Sequence, residues 1–399
     1  MSQAGPANVQ GTHSVSMAEK LQGILPQIAA NAAKAEALRM MPGENVDLLK
    51  GIGLHRAFLP RAYGGLEMPL TEFTDCVAAL AGACCSTAWA FSLLCTHNHQ
   101  LAMFDKQCQD DIWGENPDAT ASSSIAPIGK YEETDGGIIF NGDMTWSSGC
   151  DHAEWAIVGF NRIDAENNKV YCFAAIPSQD YEIIDDWYSI GVKGSGTKTL
   201  KIRDTFVPEH RISIAKEMME GRSKGAGLYP ESKIFNTPYR PYFASGFAAM
   251  ALGTAERMLA IYQEYNQRRV RAYTGAAVKV SIPALTRLAE STHQVKAART
   301  FLEATWNDHR EHGERKQYPS RETLVYWRTN QAYAVKMCNE ATDRLWKGLG
   351  ASNWMEDREA QRVWRDNQIC AAHAYTDYDV CAQILGRELM GLDPDPGLL

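Results

Sequence analysis

Apolar residues recur at intervals of three and four along the first hundred residues, a spacing that predicts helices. This spacing begins at Met17 and returns over 44–52, 70–83 and 87–104. The segment before it, 1–16, is rich in Gly, Ser and Gln, and we expect it to be disordered. The pattern therefore predicts an N-terminal helical domain over 17–118.

The pattern changes near residue 119, where apolar and polar residues begin to alternate and β-branched and aromatic residues become frequent. Such alternation predicts half-buried strands. Asp135-Gly136-Gly137 separates two extended runs and is typical of a hairpin turn. The sequence therefore predicts an antiparallel β domain over 119–222.

Helical spacing returns after about residue 241, in stretches much longer than those near the N-terminus. The predicted helices cover 243–269, 283–312, 320–348, 356–374 and 376–389. Helices of this length, joined by short connections, are typical of a bundle. We therefore predict an α+β fold that is mostly α, in which a four-helix bundle occupies 223–399.

Composition narrows the possible partners. The chain has 399 residues and a net charge of -8, and it contains no basic run, so we expect no nucleic-acid partner. The most apolar stretch, 243–252, is too short to span a bilayer, and the N-terminus lacks the pattern of a secretory signal. Ten scattered cysteines without a CxxC pair are typical of reduced thiols. We expect a cytoplasmic protein without a membrane anchor.

Histidines are the first candidates for chemistry. His97 and His99 lie in an apolar helix but are two residues apart, so they point to different faces and cannot share a metal ion easily. No HExxH pattern is present, and we expect no metal site. His97 is equally consistent with a core histidine and a catalytic one. His309 lies on a highly charged helix and is predicted to be solvated.

Two further segments have open interpretations. Gly191-Val-Lys-Gly-Ser-Gly-Thr197 is rich in glycine, but no helix follows it, so a turn between strands is predicted instead of a dinucleotide loop. Arg240 lies among aromatic residues just before the first long helix of the bundle. It could clamp a carboxylate or stack on Tyr239 or Tyr242 at the surface.

Several segments, in a helical, β and helical order, resemble the acyl-CoA dehydrogenase superfamily. Gly137–Gly149 is similar to the strand pair that lies against the flavin in that family. The Gly-rich segment that ends at Thr197, the Val-Pro that ends at Pro208, and Arg362-Val-Trp-Arg-Asp366 resemble other family elements. The resemblance implies the fold of that superfamily and a flavin.

Two departures separate the chain from the dehydrogenases. The family commonly carries a catalytic Glu on a bundle helix, whereas Ala372–Asp379 offers His373 and Tyr375 and no Glu. Trp346-Lys-Gly-Leu-Gly350 stands where the family has a Gln before its Gly-Gly element. The first departure argues against dehydrogenation of an acyl-CoA, and the second leaves FMN and FAD both open.

From Ser16 onward the chain is similar to the flavin-dependent monooxygenases of this fold, through strings such as Ala88–His97, Trp146–Glu154 and Thr237–Gly246. The resemblance implies that reduced FMN, with FADH2 as an alternative, diffuses in from a separate NAD(P)H:flavin reductase. With O2 the reduced flavin forms a C4a-hydroperoxyflavin that ortho-hydroxylates a phenol. The reaction that the resemblance favours is 4-hydroxyphenylacetate to 3,4-dihydroxyphenylacetate. The family commonly assembles as a homotetramer.

The same resemblance implies a role for each site residue. Catalytic roles fall to His97, Ser123 and Ser148. The flavin would be bound by Trp146, Ser148, Arg271, Tyr273 and Gly350. The substrate would contact Trp89, His97, Ser123, Arg240, Phe243, His373 and Tyr375. The alternatives are a related monooxygenase acting on indole or another phenol and, as a different reaction class, an acyl-CoA dehydrogenase.

Overall fold

The structure is a computed structural model in which residues 15–393 are described. All but the last two residues of the segment predicted to be disordered, 1–16, lie outside the described residues. Ser16 itself is ordered and caps the first helix, since its hydroxyl accepts a hydrogen bond from the Glu19 N–H and Glu19 bonds back to the Ser16 N–H.

Helices dominate the N-terminal part, as predicted. They are α1 Met17–Ala30, α2 Ala32–Leu38, α3 Gly43–Gly51, α4 Leu70–Leu101 and α5 Lys106–Trp113. The two helices predicted over 70–83 and 87–104 are the halves of α4, which is broken at Cys84 by non-helical torsion angles (φ -156°, ψ 102°). The break changes the direction in which the second half presents its side chains.

The second half of α4 is the most enclosed element of the molecule. Every residue from Cys84 to Phe104 is buried, between the sheet on one side and the bundle on the other. A helix that is apolar all round is expected only where protein surrounds it completely. By length and composition α4 is the one helix among residues 15–393 that could cross a membrane, but 83% of its apolar window is buried in the fold.

Seven strands form one sheet. They are β1 Ala121–Thr134, β2 Gly137–Ser147, β3 Trp155–Ile163, β4 Lys169–Pro177, β5 Glu182–Ile184, β6 Lys198–Pro208 and β7 Ile212–Ile214. Their order is β5-β6-β2-β1-β3-β4-β7. The predicted hairpin is present, because β1 and β2 pair antiparallel around Asp135 and Gly136.

The predicted antiparallel arrangement was wrong for one strand pair, β1 with β3. β1 runs parallel to β3, and every other pair in the sheet is antiparallel. The residues between β2 and β3 carry the chain across β1, so that β3 pairs with the far side of β1. The sheet is therefore mixed, and the buried start of β1, Ala121–Ser124, lies in its centre against α4.

The short helix α6 Ala215–Met219 follows the sheet, and the longer helices after it form the predicted bundle. They are α7 Tyr239–Arg268, α8 Ile282–Glu314, α9 Arg321–Lys347, α10 Glu359–Ala372 and α11 Tyr378–Leu389. α7 is central, since it packs on α4, α8, α9 and α10. Its residues from Pro241 to Ala255 are all buried. α4 and α7 therefore join the N-terminal helices to the bundle.

His309 on α8 is buried, so the prediction that it is solvated was wrong. Its side chain lies against Tyr242 and Trp327, with ring centroids 4.6 and 4.5 Å away. Neither ring nitrogen has a hydrogen-bond partner among the described residues, and burial lowers its pKa to about 3. The charged residues of α8 lie on its other faces, and their number in the sequence hid the fact that His309 faces inward.

Replacing His309 by Leu should make the protein less sensitive to acid. An unfolded histidine gains a proton below about pH 6.5, whereas folded His309 stays neutral, so stability is lost as the pH falls below that value. Between pH 6 and 4 the free energy of unfolding of the variant should fall by roughly 1.4 kcal/mol less per pH unit than that of the wild type. Urea unfolding at several pH values measures the slope.

The matched control is His312→Leu, one turn further along α8, where the ring is only partly buried. This control should keep the acid sensitivity of the wild type. An equal slope for His309→Leu and the wild type would contradict the assignment of a neutral buried His309.

Candidate active site

His97 lies on the enclosed half of α4, and its ring is fixed at both nitrogens. The Nδ1 atom is 2.6 Å from the Ala121 carbonyl, and Nε2 is 2.8 Å from the Ser123 hydroxyl. A carbonyl can only accept, so Nδ1 carries the hydrogen and Nε2 presents a lone pair. Burial lowers the pKa of His97 to about 4, so the ring is neutral at pH 7. The pair is arranged to accept a proton at Nε2.

A second polar cluster lies around Ser148, just after β2. The Trp89 indole N–H donates to the Ser148 hydroxyl at 3.1 Å, and the Thr197 hydroxyl lies 2.8 Å from it. Ser148 is 5% exposed and Gly149, with φ 71°, turns the chain directly after it. An added Cβ at Gly149 would lie 3.4 Å from Ala90 on α4, so this turn packs closely against the helix.

Aromatic side chains connect the two polar clusters. Phe243 on α7 stacks on His97 with ring centroids 6.0 Å apart, and Phe247 follows one turn later. Phe247 in turn contacts His373 at 3.8 Å and Trp89 at 4.8 Å. A continuous apolar wall therefore runs from the lone pair of His97 to the hydroxyl of Ser148.

Arg240 and Tyr375 lie beside this wall, in a cleft they share with Arg328 of α9. The Tyr375 ring is 5.1 Å from Phe243, and the Arg328 guanidinium lies 4.9 Å from the Tyr375 ring. The Nε atoms of both arginines are buried without a partner, and neither arginine pairs with a carboxylate among residues 15–393. Two half-buried cations without a carboxylate partner among the described residues favour an anionic ligand.

Trp146 has the conformation of a residue that serves a site. Its φ is 63°, a left-handed value that is costly for a residue with a bulky side chain, and the indole is 70% exposed. Ser148 follows two residues later, so the exposed indole is close in the chain to the Ser148 cluster.

Three residues predicted to bind the flavin lie elsewhere in the chain. Arg271 and Tyr273 follow the C-terminal end of α7, and Tyr273 is fully exposed. Gly350 lies at the same end, where an added Cβ would clash with Arg269. The part of α7 between Phe243 and Arg268 is roughly 38 Å long at 1.5 Å per residue. One chain therefore does not bring these three residues to Ser148.

The Gly-rich segment is a turn between strands, as predicted, and it is anchored to the bundle. The Val192 N–H donates to Asp366 of α10 at 2.6 Å, and the Gly194 N–H donates to the Ser86 hydroxyl of α4 at 3.1 Å. Burial raises the pKa of Asp366 to about 7, although the Val192 N–H opposes the rise. This anchoring fixes the position of Thr197 beside Ser148.

The fold and this site define the class of protein. The family model of the acyl-CoA dehydrogenase C-terminal domain matches residues 245–378, which cover most of α7 to the start of α11. A solved structure, 3-HSA hydroxylase from Rhodococcus sp. RHA1, superposes with a TM-score of 0.90 at 30% identity, covering 97% of this chain and 99% of that one. The molecule has the acyl-CoA dehydrogenase fold.

Two relatives of known function then identify the family. The chain is 65% identical over 393 residues to the p-hydroxyphenylacetate 3-hydroxylase oxygenase component of Acinetobacter baumannii, covering 98% of this chain and 93% of the relative. It is 32% identical to the HsaA oxygenase subunit, a flavin-dependent monooxygenase of Mycobacterium tuberculosis, covering 97% and 98%. The chain belongs to the oxygenase components of the flavin-dependent monooxygenases.

The residues around Ser148 fit a flavin. A flat aromatic ring system can stack on the exposed Trp146 indole, and Ser148 keeps hydrogen-bonding capacity beyond its bonds to Trp89 and Thr197. The Ser147 hydroxyl is also buried without a partner among the described residues. We infer that this strand end is the flavin-facing side of the site.

Sequence reasoning missed three residues of the site, namely Phe247, Thr197 and Arg328. Phe247 is four residues after Phe243, so helical spacing could have placed it on the same face. Thr197 ends the Gly-rich segment, but its hydroxyl contact with Ser148 joins strands far apart in sequence. In the sequence Arg328 cannot be told from the other cations of a charged helix. Its place in the site comes from its contact with the Tyr375 ring, in the turn after α10.

Asp366→Leu should destabilise the protein, because it leaves the buried Val192 N–H without an acceptor. We expect the free energy of unfolding to fall by about 1–3 kcal/mol. Asp366→Asn keeps an acceptor oxygen and should cost much less at pH 7. Urea unfolding of both variants measures the difference. Equal losses for Leu and Asn would mean that the Val192 contact does not anchor the loop.

Proposed function

We propose that the chain ortho-hydroxylates 4-hydroxyphenylacetate to 3,4-dihydroxyphenylacetate. The proposal depends on one observation. The Nε2 lone pair of His97 lies at one end of the apolar wall, and two arginines without a carboxylate partner among the described residues lie beside that wall. His97 with Ser123 suits a phenol, and Arg240 with Tyr375 suits a carboxylate. The 65% identity to a p-hydroxyphenylacetate 3-hydroxylase component supports the same substrate.

His97 acts as the acceptor of the phenolic proton. Because Nδ1–H is held by the Ala121 carbonyl, only Nε2 can take that proton, and Ser123 lies at the same point. A free phenol has a pKa near 10, far above that of the buried ring. Negative charge developing on the phenolic oxygen raises the basicity of the adjacent imidazole, so the proton moves as the charge forms.

Arg240 orients the aromatic ring. A guanidinium bound to the carboxylate at one side, with His97 holding the phenolic oxygen, leaves the ring little freedom to rotate in its plane. That restraint brings an ortho carbon to the point of attack, and the two ortho carbons of 4-hydroxyphenylacetate are equivalent. Phe243 and Tyr375 pack on the faces between the two ends.

Reduced flavin, when bound, would supply the two electrons that activate O2, so that one oxygen atom goes to the ring and the other leaves as water. Trp146 would offer the flavin a stacking surface, and Ser148 would offer its hydroxyl to flavin N5. Trp89, Phe247 and His373 form an apolar wall beside Ser148 that keeps water from the oxygen transfer.

Reduced FMN is the proposed form of the flavin, with FADH2 as an accepted alternative and O2 as co-substrate. A separate NAD(P)H:flavin reductase would supply it, consistent with relatives that are oxygenase components of larger systems. We place the protein in the cytoplasm. Its ten cysteines are all buried and unbridged, as in a reducing compartment.

A homotetramer is the proposed assembly. Trp146 and Ser148 are separated from Arg271 and Tyr273 by roughly the length of α7. Both sets can bind one flavin only if a second copy of the chain contributes the distant set. The fully exposed Tyr273 supports this arrangement, since an exposed aromatic residue suits a subunit interface.

His97→Ala should uncouple the reaction. Flavin oxidation should continue, but the yield of dihydroxylated product per flavin oxidised should fall at least tenfold, because the phenol loses its proton acceptor. Product and H2O2 are quantified by chromatography and a peroxidase assay. His99→Ala, two residues away and outside the site, is the matched control. Unchanged coupling in His97→Ala would remove the proton-acceptor role.

Arg240→Gln should weaken a carboxylate-bearing substrate selectively. We expect KM for 4-hydroxyphenylacetate to rise by roughly 10- to 100-fold, since a charge-assisted hydrogen bond contributes about 1.5–3 kcal/mol. KM for 4-ethylphenol should change less than threefold. Equal losses for both substrates would mean that Arg240 does not recognise the carboxylate. An indole panel measured alongside tests the related-monooxygenase alternative.

A further inference from the structure

Three buried hydroxyls form an unbroken chain from the Ser148 cluster into the Gly-rich turn. The Ser148 Oγ lies 2.8 Å from Thr197 Oγ1, which lies 2.6 Å from Ser195 Oγ. Their side chains are 5%, 7% and 0% exposed, respectively. At the other end the Trp89 indole donates to Ser148.

The indole limits how hydrogens can be arranged in this chain. An indole N–H only donates, so one lone pair of Ser148 is always occupied by Trp89. Each hydroxyl has one hydrogen, and the two contacts between hydroxyls use two of the three. One hydrogen is therefore left over. It is on Ser195 or on Ser148 when the three hydroxyls donate in one direction along the chain. It is on Thr197 when both neighbours donate to Thr197, and Ser148 is then again a donor to Thr197.

Ser148 has a different hydrogen-bonding role in the two arrangements in which all hydroxyls donate in one direction. When Ser148 donates to Thr197 and Thr197 donates to Ser195, Ser148 can only accept one further hydrogen bond. When the order is reversed, Thr197 donates to Ser148, and the Ser148 hydrogen is free to be donated elsewhere. Rotation of three hydroxyl groups interconverts the two states without moving a heavy atom.

The position of Thr197 is held by the backbone around it. The Gly149 N–H donates to the Ser195 carbonyl at 2.9 Å, which ties the turn after Ser148 to the Gly-rich turn. The Gly-rich turn is itself anchored by Asp366 and Ser86. The hydroxyls can therefore reverse the direction of their hydrogen bonds without losing contact.

We propose that Thr197 is a positioning residue that switches the Ser148 hydroxyl between acceptor and donor according to the oxidation state of the flavin. This inference rests on the proposed function, in which Ser148 faces flavin N5. Reduced flavin carries a hydrogen at N5, and Ser148 accepts it while donating to Thr197. Oxidised flavin has a lone pair at N5, and Ser148 donates to it while accepting from Thr197.

Thr197→Val tests the switch, because valine has nearly the same shape and no hydroxyl. With reduced FMN the Ser148 hydrogen loses its acceptor, whereas with oxidised FMN it still has N5. The ratio of the two dissociation constants, reduced over oxidised, should rise about fivefold, in line with one lost hydrogen bond. Anaerobic titrations of the purified full chain with FMN, oxidised and chemically reduced, measure the ratio by fluorescence.

Matched variants make each outcome decisive. Thr197→Ser keeps the hydroxyl and should hold the ratio within about twofold of the wild type, while Thr197→Ala should behave like Val. A Val variant that weakens both flavin forms equally would overturn the switch, as would one that changes neither form. Ser148→Ala separates the two proposals: if it shifts the ratio and Thr197→Val does not, only the switch fails. If neither variant shifts it, the contact of Ser148 with N5 fails as well.

Discussion

Complete burial of the second half of α4 is the constraint on which the site depends. This helix lies between the central strand β1 and the central bundle helix α7, so it has no face in solvent. A polar group on it can be satisfied only by a partner inside the protein. His97 finds Ala121 and Ser123 on β1, and Trp89 finds Ser148. The same requirement that satisfies buried polar groups thereby fixes the orientation of both side chains.

The overall order of elements was predictable, because it depends on periodicity over long segments. Helical spacing predicted the parts of α4 and the bundle, and alternation predicted the sheet and its hairpin. The parallel pairing of β1 with β3 was not predictable. It depends on where the chain crosses between β2 and β3, and alternation in a strand carries no information on the direction of its neighbour.

Sequence patterns predicted the individual site residues less well than they predicted the fold. Spacing alone left His97 open between core and catalytic roles, and only its two hydrogen bonds give it a defined tautomer. His309 shows the opposite failure, since the charged faces of α8 hid a buried histidine. The Thr197 contact joins residues 49 positions apart, and no local pattern encodes such a contact. Resemblance to the family supplied the roles that physical patterns could not.

The distribution of charge across the site also has a physical logic. At the His97 end, burial keeps the ring neutral, so a proton acceptor is available without the cost of a buried charge. At the Arg240 end, two guanidiniums lack a counter-ion among the described residues, a cost to stability that residues elsewhere in the fold must offset. An anionic substrate removes that cost when it binds. In the proposed function, substrate affinity at the cationic end is therefore gained from a deficit in the free protein, and the neutral end develops charge only during the reaction.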